Sequence, residues 1–274
     1  MAKLKRARNS LLGINKLPPR VLGKIFQWNV MLYDDFAGVN RRSYNFMFVC
    51  HHWFEVSRDT PELWGFWGTT LKDWMQRYLC PEAALLDLIL DDTSDDTLVS
   101  ENLNKTLIKV LDALQDRASK DTIRRVHLKS KGTYLLNSIL SSLTLERDEF
   151  RCSRMESFIL QKPWYCDESE PVDVSDFFAS YCFPKLQRLD LIHCLISSWD
   201  HLISKTGTLT NLHLDLKYPS PNPTTSQLLS ILASNPLLQR IKLILNMAPS
   251  DDDDMSSSHV QLHHLKHLKL VGDF

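Results

Sequence analysis

Seven times along its length this chain sets a large apolar residue three places before a second and five before a third. The triplets are Leu85, Leu88, Leu90; Ile123, Val126, Leu128; Met155, Phe158, Leu160; Leu186, Leu189, Leu191; Leu209, Leu212, Leu214; Leu238, Ile241, Leu243; and Leu265, Leu268, Leu270. The last two members of each stand two apart, the period of a strand with one buried face. Successive triplets begin 23 to 38 residues apart, room for a strand, a turn and a helix. Helix-like stretches at 98–117, 134–143, 174–181, 199–204 and 227–233 fill most of the gaps. One such unit cannot cover its own apolar face, so the units must stack. The pattern predicts an α/β chain, a parallel sheet with helices on one side. A doubly wound α/β domain is the alternative that the variable spacing allows.

The residues ahead of the triplets follow another period. Pro18 and Pro19 suit a first helical turn, where the missing N–H is not needed, and Val21, Leu22, Ile25 and Phe26 then fall on one helical face. Phe46, Val49, Cys50 and Trp53 give a second such face. Thr60 is expected to cap, and Pro61 to open, a third short helix that carries Leu63 and Trp64 inward. A domain of about 50 residues buries a small share of its surface. Part of this apolar surface therefore needs a cover, either the rest of the chain or a partner.

The segment from 14 to 64 resembles a fungal F-box. It has the Leu17-Pro18-Pro19 start, the Val21-Leu22-x-x-Ile25-Phe26 helix, Val49-Cys50-x-x-Trp53, and the closing Pro61-Glu62-Leu63-Trp64. The resemblance implies a three-helix module at 14–68 that docks onto a Skp-type adaptor, and through it onto a cullin. The adaptor-facing residues it implies are Leu17, Pro18, Val21, Leu22, Ile25, Phe26, Val49, Cys50 and Trp53. The triplets resemble a leucine-rich repeat solenoid of irregular period, spanning 85–274 after a connecting segment at 69–84. The Asn or Cys that follows the strand in that family is present as Cys194, with Asn246 a displaced candidate. Together the two resemblances imply the substrate-recognition subunit of a cullin-RING ubiquitin ligase, which is not itself an enzyme. A leucine-rich interaction scaffold without ligase attachment is the alternative.

Strand alternation names the side chains on the sheet's other face. The acidic start is Asp87, Ile89 and Asp91. After it come Arg125, His127 and Lys129; Ser157, Ile159 and Gln161; Arg188, Asp190 and Ile192; Asn211, His213 and Asp215; Arg240, Lys242 and Ile244; and His267, Lys269 and Val271. They are expected to face solvent. Arg125, His127, Lys129, Arg188, His213, Arg240, Lys242, His267 and Lys269 are the candidates for contact with a protein substrate. Rim charges of this kind set approach and register. The last triplet ends near the final residue, so the closing rung is expected to lack a capping repeat and to expose an edge.

Other chemistry finds little footing. Eight glycines, with no Gly-x-Gly-x-x-Gly, Gly-Lys-Ser/Thr or Gly-x-Ser-x-Gly among them, leave no phosphate-cradling loop or nucleophile elbow. A small hydrolase is thereby disfavoured. His259, His263, His264 and His267 flank a strand whose alternate residues point opposite ways, an arrangement unlike a converging zinc site. The runs Asp91-Asp92-Thr93-Ser94-Asp95-Asp96 and Asp251 to Asp254 lack the Gly and terminal Glu of a calcium loop. No metal, cofactor or small-molecule ligand is expected. The six cysteines show no paired or metal-type spacing, which reads as reduced thiols of the cytoplasm or nucleus. Residues 1–13 are a basic, flexible start without the apolar core of a secretory signal, and no apolar run approaches the length of a membrane span. Residues 1–80 hold 12 Lys and Arg against 6 Asp and Glu, the remainder 20 against 27. This split argues against one uniform nucleic-acid surface and for two distinct parts.

Overall fold

A computed structural model describes residues 12–31, 44–68, 86–92, 123–144, 153–163, 172–180, 182–216, 223–245 and 259–272. The helix expected at 98–117, Asn246, the connecting segment 69–84 and the acidic residues 251–254 lie outside the described residues. The chain divides into two compact units, Met1–Asp91 and Asp92–Phe274.

In the first unit Pro18 is the last residue before helix α1, Pro19–Met31. Its carbonyl accepts from Val21 and Leu22 at 2.9 and 3.1 Å, so the two prolines sit where their fixed φ starts the helix without losing a bond. Leu22 and Phe26 are buried. Phe26 stacks on Phe46, centroids 4.5 Å apart, and tilts against Trp53 at 5.1 Å. Phe46 lies in a 3-10 turn, Tyr44–Phe48, and helix α2 runs over His51–Arg58. The single helical face expected through Phe46, Val49, Cys50 and Trp53 is therefore broken. Cys50 is extended, φ −161 and ψ 167, and this separates the 3-10 turn from α2.

The third expected helix is a 3-10 turn, Pro61–Leu63, and the Thr60 side chain makes no capping bond. Its hydroxyl instead donates to the Val56 carbonyl at 2.6 Å. Leu63 and Trp64 are buried as anticipated, and the Trp64 indole N–H donates to Ser57 O at 2.8 Å. Strands β1, Phe66–Gly68, and β2, Leu86–Asp92, pair in parallel within this unit.

The second unit is α/β. Its strands are β3 (Ile123–Ser130), β4 (Ser157–Gln161), β5 (Val172–Asp173), β6 (Arg188–Ile192), β7 (Cys194–Leu195), β8 (Asn211–Leu216), β9 (Arg240–Leu245) and β10 (His267–Val271). Between them run α3 (Thr133–Thr144), α4 (Ser175–Ser180), α5 (Asp200–Lys205) and α6 (Thr225–Ser234). The main sheet follows chain order, β3-β4-β6-β8-β9-β10, every pair parallel and in register. Register turns the triplets into columns: Val126, Phe158, Leu189, Leu212 and Ile241 form one, and Leu128, Leu160, Leu191, Leu214 and Leu243 the next. No residue in either column is more than 2% exposed.

Helices α3 to α6 pack side by side in succession, and Phe158, Phe177, Phe178 and Phe183 form an aromatic cluster with centroids 4.8 to 5.7 Å apart. Each rung also receives a backbone bond from the next in the same way. Glu156 O accepts from Gln187 and Arg188, Gln187 O from Thr210 and Asn211, Thr210 O from Gln239 and Arg240, and Gln239 O from Lys266 and His267, all at 2.8 to 3.1 Å.

Polar side chains fasten the helical layer. The buried Asn235 amide donates to Ile231 O at 2.8 Å and accepts from Leu209 N at 3.3 Å. Thr224 and Gln227 close a capping box at the start of α6. Strands β5 and β7 form a separate parallel pair that the triplets do not announce. β7 follows His193, whose φ of 56° turns the chain out of β6 in the left-handed region.

Candidate functional site

In α1, Leu22 and Phe26 point into the unit while Val21 and Ile25, one residue earlier in each turn, are 44% and 38% exposed. Successive helical residues are 100° apart, so a pair of adjacent apolar positions straddles the border of a narrow contact. The nine residues implied by the F-box resemblance are thereby divided. Leu22 and Phe26 are interior to this unit. Leu17, Cys50 and Trp53 are half-buried, and Pro18, Val21, Ile25 and Val49 are exposed. The Trp53 indole N–H donates to the Asn15 side chain.

Two exposed aromatics were not anticipated: Trp28, 68% exposed, and Phe48, 74% exposed. Trp28 completes the i, i+4, i+7 series with Val21 and Ile25, a signal present in the sequence. The outward stripe of α1 is thus Val21, Ile25 and Trp28.

On the sheet's second face, register again forms columns. Arg125, Ser157, Arg188, Asn211, Arg240 and His267 stand in one; His127, Ile159, Asp190, His213, Lys242 and Lys269 in the next; Lys129, Gln161, Ile192, Asp215, Ile244 and Val271 in a third. The expectation that this face is solvated is corrected at its middle. His127, Ser157, Ile159, Asp190 and Asp215 are buried, because in-register neighbours about 4.8 Å away shield one another; in the first unit Asp87 and Ile89 of β2 are buried too. Arg125, Lys129, Arg188, His213 and Lys242 are half-buried, while Arg240, His267 and Lys269 are exposed.

Some of the buried polar groups find partners within the face, while Asp215 Oδ1 and His213 Nε2 are buried without a hydrogen bond among the described residues. The His127 ring lies 2.9 Å from the Ser157 hydroxyl, and Arg188 donates twice to Asp190 at 2.9 and 3.1 Å. His213 is held below its ordinary pKa of 6.5, by burial first and then by the Lys242 ammonium, with Asp190 and Asp215 pulling the other way. Over β6, β8, β9 and β10, Arg188, Asp190, His213, Arg240, Lys242 and Lys269 line an open groove of about 580 Å³.

Two further titratable groups among the described residues have partners in the fold. Cys194 is fully buried, its thiol facing Leu160 O and Ile192 O, and burial pushes its pKa up to about 12. A thiol held so far from ionisation is no nucleophile. Asp173 is pushed up by partial burial, yet bonds from Ser197 and Ser175 outweigh that and hold it below its ordinary value. His259, His263, His264 and His267 are each exposed, and among the described residues no three His, Cys, Asp or Glu side chains are grouped to hold a metal ion. No helix among the described residues is long and apolar enough to cross a membrane.

Comparison with family models, with curated proteins and with solved structures finds no match for this chain.

Proposed function

We propose that this chain is the substrate-recognition subunit of a cullin-RING ubiquitin ligase, an F-box module followed by leucine-rich-repeat-like rungs. The observation that carries the reading is the fate of the motif at 17–64. Its anchors Leu22, Phe26, Leu63 and Trp64 build a small core, while Val21, Ile25 and Trp28 remain as an uncovered stripe of the size a partner helix covers. Large apolar side chains each contribute roughly 1.5 to 3 kcal/mol when buried, so an adaptor covering this stripe gains a useful share of its binding energy there.

A solenoid reading of the second unit is supported by the repeated carbonyl bond and the chain-ordered strands. A doubly wound sheet reverses its strand order at a switch point, and the order β3-β4-β6-β8-β9-β10 has no reversal. The protein catalyses nothing in this scheme. Adaptor and cullin hold one unit, the rungs hold a protein substrate, and the raised effective concentration of a substrate lysine near the charged conjugating enzyme does the rest. Such a subunit works in the cytoplasm or nucleus.

The test is capture of adaptor and cullin by the full chain. Val21→Asp with Ile25→Asp, both at exposed positions, is expected to abolish capture while the melting temperature stays near that of the parent. Leu22→Asp is expected to unfold the unit and serves as the contrast. If the parent chain recovers no adaptor, the ligase reading fails and the scaffold reading takes its place.

A further inference from the structure

Register places Arg240 beside His267 and Lys242 beside Lys269, pairs about 4.8 Å apart between parallel strands. Lys242 and Lys269 are like charges directly opposed, an arrangement that weakens a sheet. Neither β9 nor β10 contains an acidic residue to offset them. On the β8 side the neighbour is His213, and the carboxylates near it are buried, Asp190 in a salt bridge with Arg188 at 2.9 Å. Lys266 extends the patch, its ammonium donating to Gln239 at 3.1 Å. The result is a cationic end to the groove over β9 and β10.

From this arrangement we propose that the groove binds an extended acidic segment of a protein partner, its Asp or Glu carboxylates lying over the Arg240/His267 and Lys242/Lys269 pairs. The layout of the charges selects this occupant. Along β9 the cationic positions Arg240 and Lys242 stand two residues apart, a repeat of about 6.8 Å. An extended peptide carries alternate side chains at the same repeat, so a Glu-x-Glu run matches Arg240 and Lys242 in step. A single phosphate ester is held best by donors converging on one point, whereas these cations are spread over two strands. That the segment belongs to a ligase substrate rests on the proposed function; the carboxylate chemistry of the groove does not.

Fluorescence anisotropy with the full chain tests this, using a labelled Glu-x-Glu peptide, its Gln-x-Gln counterpart, the Gln peptide bearing one phosphoserine, and oligothymidylate. The Glu peptide is expected to bind about tenfold or more tighter than the Gln peptide and to weaken as salt is raised. Lys242→Glu with Lys269→Glu is expected to cost about tenfold or more. Lys242→Gln with Lys269→Gln removes the like-charge contact. It should lose affinity several-fold with an unchanged or higher melting temperature, which separates lost binding from lost fold.

Equal affinity for the Glu and Gln peptides, tighter binding of the phosphoserine peptide or of oligothymidylate, or indifference to charge reversal each overturns the proposal. Adaptor capture on the same preparations keeps the two readings apart. Peptide binding without adaptor sinks the ligase reading and leaves the groove; adaptor without peptide binding sinks the groove alone.

Discussion

Helix α1 buries Leu22 and Phe26 and leaves Val21, Ile25 and Trp28 outside, whereas the sheet unit buries its inward columns at every rung from β3 to β9. The difference follows from how many sides a neighbour can occupy. An interior strand has a neighbour on each side and helices over one face, so the inward position is covered whichever residue fills it. A short helix in a small module meets its companions along one stripe. Residues only 100° away from that stripe stay uncovered. β10 behaves like α1 in this respect: Leu268 is 56% exposed although Ile241, its partner in register, is buried.

The largest expected effect lies in that contrast. Leu243→Ala is expected to cost about 2 to 5 kcal/mol by the loss of a buried side chain and the cavity left behind. Leu270→Ala, one rung further in the same column, should cost less than about 1 kcal/mol, and Val21→Ala about 0.5 kcal/mol or less. Denaturant unfolding of the three variants measures this. Equal losses at Leu243 and Leu270 would break the comparison.

The same contrast explains what was legible in the sequence. A strand's period of two assigns each residue a side regardless of its surroundings, so all six rungs from β3 to β10 were placed by the triplets. A column's exposure depends on its lateral neighbours, which a single strand does not reveal; Asp190 and His127 were therefore expected in solvent and are buried. The division of α1 between Leu22 and Val21 depends on the width of the contact that Phe46 and Trp53 make. No helical period encodes that width. The β5 and β7 pair, two residues in each strand, is too short to carry a period at all. Trp28, by its spacing from Val21 and Ile25, and the Thr224 to Gln227 capping box are legible in the sequence itself.

A second, intermediate effect sharpens the account of the sheet's other face. His213 titrates below 6.5 in the folded chain, so as pH falls the unfolded chain takes up its proton first. The associated stability is complete above about 6.5 and is lost as pH drops from there toward the lower, folded value. Lys242→Gln is expected to raise the His213 pKa and to shrink that loss, as followed by a histidine NMR titration. An unchanged titration would show that Lys242 and His213 do not interact.

The smallest effect concerns the helical unit. A methyl added at Gly23 would stand 2.7 Å from Thr60 Oγ1, an atom anchored by its bond to Val56 O at 2.6 Å. Alanine in a helix interior is favoured over glycine by roughly 0.5 to 1 kcal/mol. Gly23→Ala alone should show none of this gain, and the same change in a Thr60→Ala background should recover it. A gain in the single variant would mean that α1 and Thr60 are packed less tightly than described.

The carbonyl ladder makes each rung lean on the one before it, and among the described residues β10 pairs with β9 alone. In such an array opening starts at the strand with a single neighbour and travels inward. β10 also supplies His267 and Lys269 to the groove, so a ligand there would act as a clasp on the fraying end. Its apparent affinity would carry the cost of closing that end. A change at Leu270, which is 48% exposed and does not line the groove, would then weaken binding from behind the sheet.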